Sequence, residues 1–250
     1  MQSTDRGYSE GGEEKEVSHD SNLVRLIKPI IFNAEKGKAI DTSVVSPKFY
    51  NCFNYSLLST EQPNLNLVVG ITSARDGDGK TLVASNLAVS LAVANQRDTV
   101  VVDFSLQRPK IHHIFGTKIS PGLLDTLTDR AIHVSRTNIK NLYTLTVGSG
   151  AMQDFLSQSL NGERTSFGLE QVSILRNVLY SLKQEFEFVI VDLPSIHEPG
   201  TVGLLAHQMD GILVVVNANR TKHEEIEKLF QRLDERKIIG FVFNRLEDDY

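Results

Sequence analysis

One glycine-rich loop constrains the fold of this chain more than any other feature of its sequence. Residues 74–81 read ARDGDGKT, and they follow residues 67–71, an apolar run typical of a strand buried on both faces. Residues 80–95 show valine or leucine at every fourth position, which predicts a helix with one apolar face. A turn between a strand and a helix points backbone N–H groups and the positive end of the helix at the same place. The loop is therefore predicted to bind phosphate groups.

The residue types in the loop suit a nucleotide triphosphate. Gly77 and Gly79 allow positive φ angles and a close approach of the backbone to phosphate oxygens. Lys80 would place a positive charge on the β and γ phosphates, and the Thr81 hydroxyl would ligate Mg²⁺. The loop opens with Ala74, where glycine is commoner. The predicted cofactors are ATP and Mg²⁺.

Beyond the loop, short apolar runs alternate with helical patterns. Strands are predicted at residues 99–102, 142–147, 188–191, 212–216 and 238–243, helices at 169–185 and 222–236, and a short helix start at 122–127. Alternation of buried strands with helices predicts an α/β fold, a parallel-sheet P-loop NTPase with three α/β/α layers. Residues 151–167 are polar and without pattern, so a surface loop is expected there.

Two aspartates directly follow predicted strands. Asp103 ends the run TVVV, and Asp192 ends the run FVIV. Ligands of such folds lie beyond the carboxyl ends of the strands, where both carboxylates would sit beside the phosphate-binding loop. An aspartate in this position can also be a helix cap or a solvated residue. The neighbouring loop favours a role in holding Mg²⁺.

Composition divides the chain into three parts. Residues 1–21 are rich in Glu, Asp, Ser and Gly, and they are predicted to be a disordered acidic tail. Residues 22–64 are predicted to form an extension that packs on the domain. Its apolar stretch, residues 23–32, fits either a segment at the domain edge or a docking peptide for a partner or a membrane surface. Residues 65–250 would be the ATP-binding domain.

Charge and cysteine usage exclude several classes of protein. The net charge is -5, so the basic footprint of a nucleic-acid-binding protein is absent and no nucleic-acid partner is expected. Cys52 is the single cysteine of the chain, and a lone cysteine is typically a small, buried apolar residue. No run reaches the ~18 apolar residues of a membrane span, and the first residues do not resemble a signal peptide. The expected compartment is the cytoplasm.

Several segments together carry a resemblance to a known family. They are residues 70–88 around the glycine-rich loop, 100–109 (VVVDFSLQRP), 114–116, 121–123, 188–194 (FVIVDLP), 210–216 and 240–245. They resemble the deviant P-loop ATPases that include the Min and Par ATPases. Within that group the chain is most similar to the cytoplasmic domains of bacterial tyrosine kinases of exopolysaccharide and capsule synthesis. The resemblance covers residues 46–246.

The resemblance implies roles for individual residues. Catalytic roles would fall to Lys80, Asp103 and Asp192, and the metal would be held by Thr81, Asp103 and Asp192. Asn244 would read the adenine edge, with Arg245 beside it; from the residues alone, Asn244 fits a turn at a strand end equally well. The full predicted nucleotide-binding set is Arg75, Asp76, Gly77, Asp78, Gly79, Lys80, Thr81, Leu82, Asn244 and Arg245.

Two positions in the second motif depart from the family. Ser105 stands where the family carries a second aspartate, and a serine cannot act as a base near pH 7. Losing a positioned base typically costs ~10²–10⁴ in rate. Gln107 replaces a basic residue, although Arg108 remains. These departures predict weak or absent kinase activity.

Two further departures concern assembly and the phosphate acceptor. Tyr50, Phe53 and Ser56 occupy the place of the family's Glu and Arg oligomerisation motif, which leaves a homo-oligomer open. The tyrosine-rich tail is reduced to Tyr250, in acidic surroundings, and a solvated chain end is favoured over a phosphorylation site there.

Four functions follow as hypotheses. The first is an ATP-binding protein of exopolysaccharide or capsule biosynthesis or export, with an eroded kinase motif, which docks on a membrane polysaccharide copolymerase or its cytoplasmic tail and so sits peripherally at the inner membrane. The second is an active protein-tyrosine kinase. The third, a Min- or Par-type dimeric ATPase, is disfavoured because Arg75 stands in a loop where Par proteins carry a lysine. The fourth is a scaffold without catalysis.

Overall fold

The structure is a computed structural model that describes residues 30–36, 66–106, 108–129, 131–149, 169–196 and 201–246. Within these residues eight strands form one sheet with the order β1-β4-β5-β3-β6-β2-β7-β8. The strands are β1 (Ile30–Lys36), β2 (Leu67–Ser73), β3 (Thr99–Asp103), β4 (Ile132–Arg136), β5 (Leu142–Leu145), β6 (Phe188–Asp192), β7 (Gly211–Asn217) and β8 (Ile238–Asn244).

The sheet is parallel except where β4 meets β5. Those two strands are antiparallel, and every other neighbouring pair is parallel. The predicted P-loop fold class is confirmed, with this one correction to a fully parallel sheet. Strand β4 was not predicted, because its sequence IHVSR is short and only three of its five residues are buried. The same sheet also includes β1, which comes from the predicted N-terminal extension and pairs with β4.

Six α-helices accompany the sheet in the described residues. They are α1 (Lys80–Ala94), α2 (Ile111–Phe115), α3 (Thr126–Asp129), α4 (Leu169–Glu185), α5 (Thr201–Ala206) and α6 (His223–Phe230). The predicted helices at 80–95 and 169–185 are confirmed. The helix predicted at 222–236 is too long, because α6 ends at Phe230 and a 3₁₀ turn follows at Glu235–Lys237. None of these helices combines the length and apolar character needed to cross a bilayer.

Two apolar cores, one on each face of the sheet, create the three layers. Successive strand residues point to opposite faces, so Val100 and Val102 enter one core and Val101 enters the other. The first core receives side chains from α4, α5 and α6, and the second from α1 and α2. Because helices cover both faces of the sheet, the central strands are apolar throughout, which is the pattern the sequence shows.

Several predictions concern residues outside the described parts. These are the tail at 1–21, the extension apart from β1, the loop at 151–167, and the individual residues Gln107, Tyr50, Phe53, Ser56, Cys52 and Tyr250.

Candidate nucleotide-binding site

A cavity of about 670 Å³ lies where β2, β3 and β8 end. Its lining consists of Asp76, Gly77, Gly79, Lys80, Thr81, Leu82, Ser105, Arg108, Lys110, His113, Ile114, Asn244 and Arg245. Most of the predicted nucleotide-binding residues are thus brought together at one place. Four predicted site residues, Arg75, Asp78, Asp103 and Asp192, are not part of this lining. Arg75 and Asp78 belong to the glycine-rich loop, other residues of which line the cavity. Asp103 and Asp192 are hydrogen-bonded to the lining residues Ser105 and Thr81.

The glycine-rich loop has the backbone that its sequence predicts. Gly77 and Gly79 have φ angles of 86° and 105°, in the left-handed region that favours glycine. Gly79 also starts α1, with its carbonyl accepting from the Val83 N–H at 3.0 Å. Inside the loop, the Asp78 carboxylate accepts from the Arg75 N–H at 3.0 Å, and burial raises the pKa of Asp78. Asp78 therefore stabilises the shape of the loop from its buried side.

Lys80 is the buried cation of the site. Lys80 is only 8% exposed, and its Nζ lies 3.4 Å from Asp76 Oδ1. Since the Asp76 side chain is 52% exposed, this ion pair is screened by water and contributes little stability. The ammonium lies on the cavity wall, where an incoming phosphate oxygen offers it a stronger charge-assisted hydrogen bond.

Thr81 and Asp192 form the polar pair beside the lysine. The Thr81 hydroxyl donates to Asp192 Oδ2 at 2.6 Å. Asp192 is completely buried, and its Oδ1 has no hydrogen-bond partner within the described part of the chain. Burial, together with the charge of Asp103, raises the pKa of Asp192 to about 8. A hydroxyl beside a buried carboxylate, one oxygen of which has no partner in the described part of the chain, fits a divalent cation with oxygen ligands.

Asp103 stands beside Asp192 on the neighbouring strand, and the two are paired in the register of β3 and β6. Its Oδ1 accepts from the Ser105 N–H at 2.9 Å, and its Oδ2 from the N–H groups of Lys110 and Ile111 at 3.0 and 3.1 Å. Burial raises the pKa of Asp103 to about 6 despite these bonds. The carboxylate thus anchors the loop after β3 and the start of α2.

That fastened loop supplies a basic wall which the sequence analysis largely missed. Arg108, Lys110 and His113 line the cavity together with the glycine-rich loop, and none of the three is among the predicted nucleotide-binding residues. With Lys80 and Arg245 the lining carries four Lys or Arg residues against one carboxylate, Asp76. A concave, positively charged surface attracts a polyanion such as a triphosphate. The available signal was the clustering of basic residues within ten positions of Asp103.

Arg75 lies outside the cavity and connects the loop to α6. Its Nε is 2.8 Å from Glu225 Oε1, and Glu225 Oε2 accepts from the Lys222 N–H at 3.0 Å. The arginine therefore joins the glycine-rich loop to the first turn of the helix after β7. Its side chain, predicted to belong to the nucleotide-binding set, is engaged with this helix.

Fold and site together define a class. A glycine-rich loop between a strand and a helix, a buried lysine and a threonine–aspartate pair lie at the carboxyl edge of a mostly parallel sheet, and this is the architecture of the P-loop NTPase fold. No family model matches the chain.

Comparison with curated proteins finds bacterial tyrosine-protein kinases. The chain is 22% identical over 212 residues to putative tyrosine-protein kinase CapB of Staphylococcus aureus, covering 83% of this chain and 87% of CapB. It is 24% identical over 228 residues to tyrosine-protein kinase YwqD of Bacillus subtilis (strain 168), covering 89% and 85%. It also matches succinoglycan biosynthesis transport protein ExoP of Rhizobium meliloti (strain 1021), at 25% identity over 185 residues, which are 72% of this chain and 22% of ExoP.

Solved structures show the same fold. The VpsO kinase domain superposes with a TM-score of 0.64 at 24% identity, covering 80% of this chain and 94% of that domain. The chimerical protein CapA2B2 gives 0.65 at 24% identity, over 89% and 96% of the two chains. The cell division ATPase MinD of Pyrococcus furiosus gives 0.56 at 23% identity, over 72% of each chain. The relatives of this chain are bacterial tyrosine-protein kinases, and its structural neighbours add MinD-like P-loop ATPases, as the sequence resemblance predicted.

Proposed function

We propose that this protein binds Mg-ATP and acts in exopolysaccharide or capsule biosynthesis or export, as a relative of tyrosine autokinases with a weakened or absent kinase activity. The observation that carries the ATP-binding part is the cavity lined by the glycine-rich loop, Lys80 and Thr81, whose hydroxyl donates to the buried Asp192. The names of CapB, YwqD and ExoP support the biological setting.

Each part of the site has a task in binding the triphosphate. Backbone N–H groups of residues 77–81 would cradle the phosphates, and Lys80 would neutralise the β and γ oxygens. Thr81 and Asp192 would hold the metal, with Asp103 beside them; when bound there, Mg²⁺ would neutralise part of the charge of the triphosphate. The basic wall of Arg108 and Lys110 would bind the outer phosphate oxygens. Asn244 and Arg245 would lie along the base.

The same geometry supports the proposal of weak phosphoryl transfer. Ser105, which replaces the family's second aspartate, lies on the cavity wall, and its N–H donates to Asp103. The carboxylate present in the described lining, Asp76, is already paired with Lys80. A tyrosine hydroxyl entering the cavity would meet a serine at the position where the family carries its second aspartate. A rate reduction of ~10²–10⁴ relative to a kinase with a positioned base is expected.

The partner we propose is a membrane polysaccharide copolymerase or its cytoplasmic tail, which would hold the protein peripherally at the inner membrane. The match to part of ExoP and the likeness to CapA2B2 support this choice.

The experiment incubates the full chain with γ-labelled ATP, Mg²⁺ and a peptide that carries a copolymerase tail. Retention of nucleotide with tyrosine labelling at least a hundredfold slower than that of a CapB-type kinase is the expected result. Labelling as fast as that kinase would show an active enzyme and overturn the weakened-activity part. Absence of nucleotide retention would overturn the whole proposal and favour a scaffold.

A further inference from the structure

Asn244, at the end of β8, contacts the phosphate-binding loop directly. Its side-chain Nδ2 donates to the backbone carbonyl of Asp78 at 2.8 Å. The two residues are 166 positions apart in the chain, so only the fold brings them together. The next residue in the loop, Gly79, has no room for a side chain, because a Cβ there would lie 2.1 Å from the same Nδ2. The amide thus packs against the backbone of the loop.

The side chain of Asn244 is itself held in place. Its Oδ1 accepts from the Arg245 N–H at 3.0 Å, and Arg245 has a φ of 59°. The Arg245 carbonyl accepts from Asn219 Nδ2 at 3.0 Å, and the Asn244 carbonyl accepts from the Ala218 N–H, also at 3.0 Å. The turn after β7 therefore holds the backbone at the end of β8, and the Arg245 N–H holds the side-chain amide that this backbone carries.

This contact sets the direction of a phosphate-binding N–H. In a trans peptide the carbonyl and the N–H of the following residue point in opposite directions. When Asn244 holds the Asp78 carbonyl, the Gly79 N–H has to point away from the Asn244 amide. Without that bond, the peptide between Asp78 and Gly79 can rotate easily, since glycine tolerates a wide range of φ.

We propose that Asn244 is a positioning residue of the phosphate-binding loop, which fixes the Asp78–Gly79 peptide so that the Gly79 N–H is oriented for phosphate before nucleotide arrives. This inference rests on the proposed ATP site and adds to it. A residue that reads only the adenine edge acts on the base, whereas a residue that orients the loop acts on the phosphates. The two roles make different predictions for a ligand without a base.

The test measures calorimetric binding of Mg-ATP and of Mg-tripolyphosphate, which has the three phosphates but neither base nor sugar. The variant Asn244→Ala removes the donor to the Asp78 carbonyl without adding a charge. We expect it to weaken both ligands by the same factor, about tenfold, on the scale of one lost hydrogen bond. Asn244→Asp keeps the size of the side chain but places a negative oxygen against the Asp78 carbonyl and near the phosphates, so a larger loss for both ligands is expected.

A matched control lies at the other end of the sheet. Asn66 precedes β2, and its Nδ2 also donates to a backbone carbonyl, that of Lys183, at 2.8 Å. Asn66→Asp removes the same kind of bond away from the cavity. It should lower the unfolding midpoint and leave both affinities within twofold of the wild type, which separates loss of stability from loss of loop geometry.

The outcomes are distinct. If either Asn244 variant weakens Mg-ATP and leaves Mg-tripolyphosphate unchanged, Asn244 reads the base and the positioning role is wrong. If the wild type binds Mg-ATP but not Mg-tripolyphosphate, the loop is not preorganised and the inference also fails. If the wild type binds neither ligand, the proposed ATP site itself is wrong.

Discussion

The buried carboxylate of Asp192 is predicted to lower the stability of the folded protein at neutral pH. The residue is completely buried, and burial with the Asp103 charge raises its pKa to about 8. In the unfolded chain an aspartate titrates near pH 4. Between these two values the folded protein keeps a proton that the unfolded chain releases, so the contribution of Asp192 to stability is highest below pH 4 and falls as the pH rises towards 8.

The size of the effect follows from the linkage between proton binding and folding. One proton held only by the folded state lowers the free energy of unfolding by about 1.4 kcal/mol per pH unit. At pH 7 the accumulated cost of Asp192 is on the order of 2–4 kcal/mol. Asp192→Asn removes this cost and keeps an oxygen to accept from Thr81. The NH₂ group of the asparagine would take the place of Asp192 Oδ1, which has no hydrogen-bond partner among the described residues.

The assay is urea unfolding in EDTA, without nucleotide, from pH 5 to pH 8. The advantage of Asp192→Asn over the wild type should grow with pH, by up to about 1.4 kcal/mol per unit, and reach a few kcal/mol at pH 7. Asp98→Asn changes an exposed carboxylate and serves as the control with little effect. An advantage that does not change with pH, or a variant less stable than the wild type throughout, would refute the burial argument.

Two other changes test single features of the site. Ser105→Asp restores the family's second carboxylate at the cavity wall, so tyrosine labelling should rise by ~10² or more in a phosphotyrosine assay; an unchanged rate would show that Ser105 is not the limiting departure. Gly79→Ala puts a Cβ 2.1 Å from Asn244 Nδ2 at a φ of 105°, so Mg-ATP binding should be lost and unfolding eased by about 1–3 kcal/mol. Gly203→Ala is the control, because its Cβ would lie 3.4 Å from the nearest atom, and this variant should keep its affinity for Mg-ATP. Equal affinity and stability of the two glycine variants would contradict the strain argument.

Sequence alone predicted the parts of the molecule that local pattern controls. The loop after β2, helices α1 and α4, and the strands that end in Asp103 and Asp192 each have a periodicity or a motif contained within a few residues. Their positions could therefore be read directly.

The missed parts depend on contacts that are distant in the chain. Helix α2 has no side-chain cap of its own and begins where Asp103 accepts from the Ile111 N–H, eight residues along the chain. Strand β4 needs β1 and β5 beside it. Lys110 and His113 of the basic wall line the cavity because Asp103 anchors the segment that carries them. The links from Arg75 to Glu225 and from Asn244 to Asp78 join residues far apart in sequence, and no local pattern could reveal them.

The most direct test of the account is calorimetric titration of Mg-ATP into the wild type, into Lys80→Ala, and into Lys140→Ala as the exposed control lysine. Lys80 is the buried cation that faces the cavity, so its loss should weaken binding at least a hundredfold, while Lys140→Ala should bind as the wild type does. A wild type that does not bind Mg-ATP, or a Lys80→Ala variant that binds it as tightly as the wild type, would contradict the claim that this loop cradles a triphosphate.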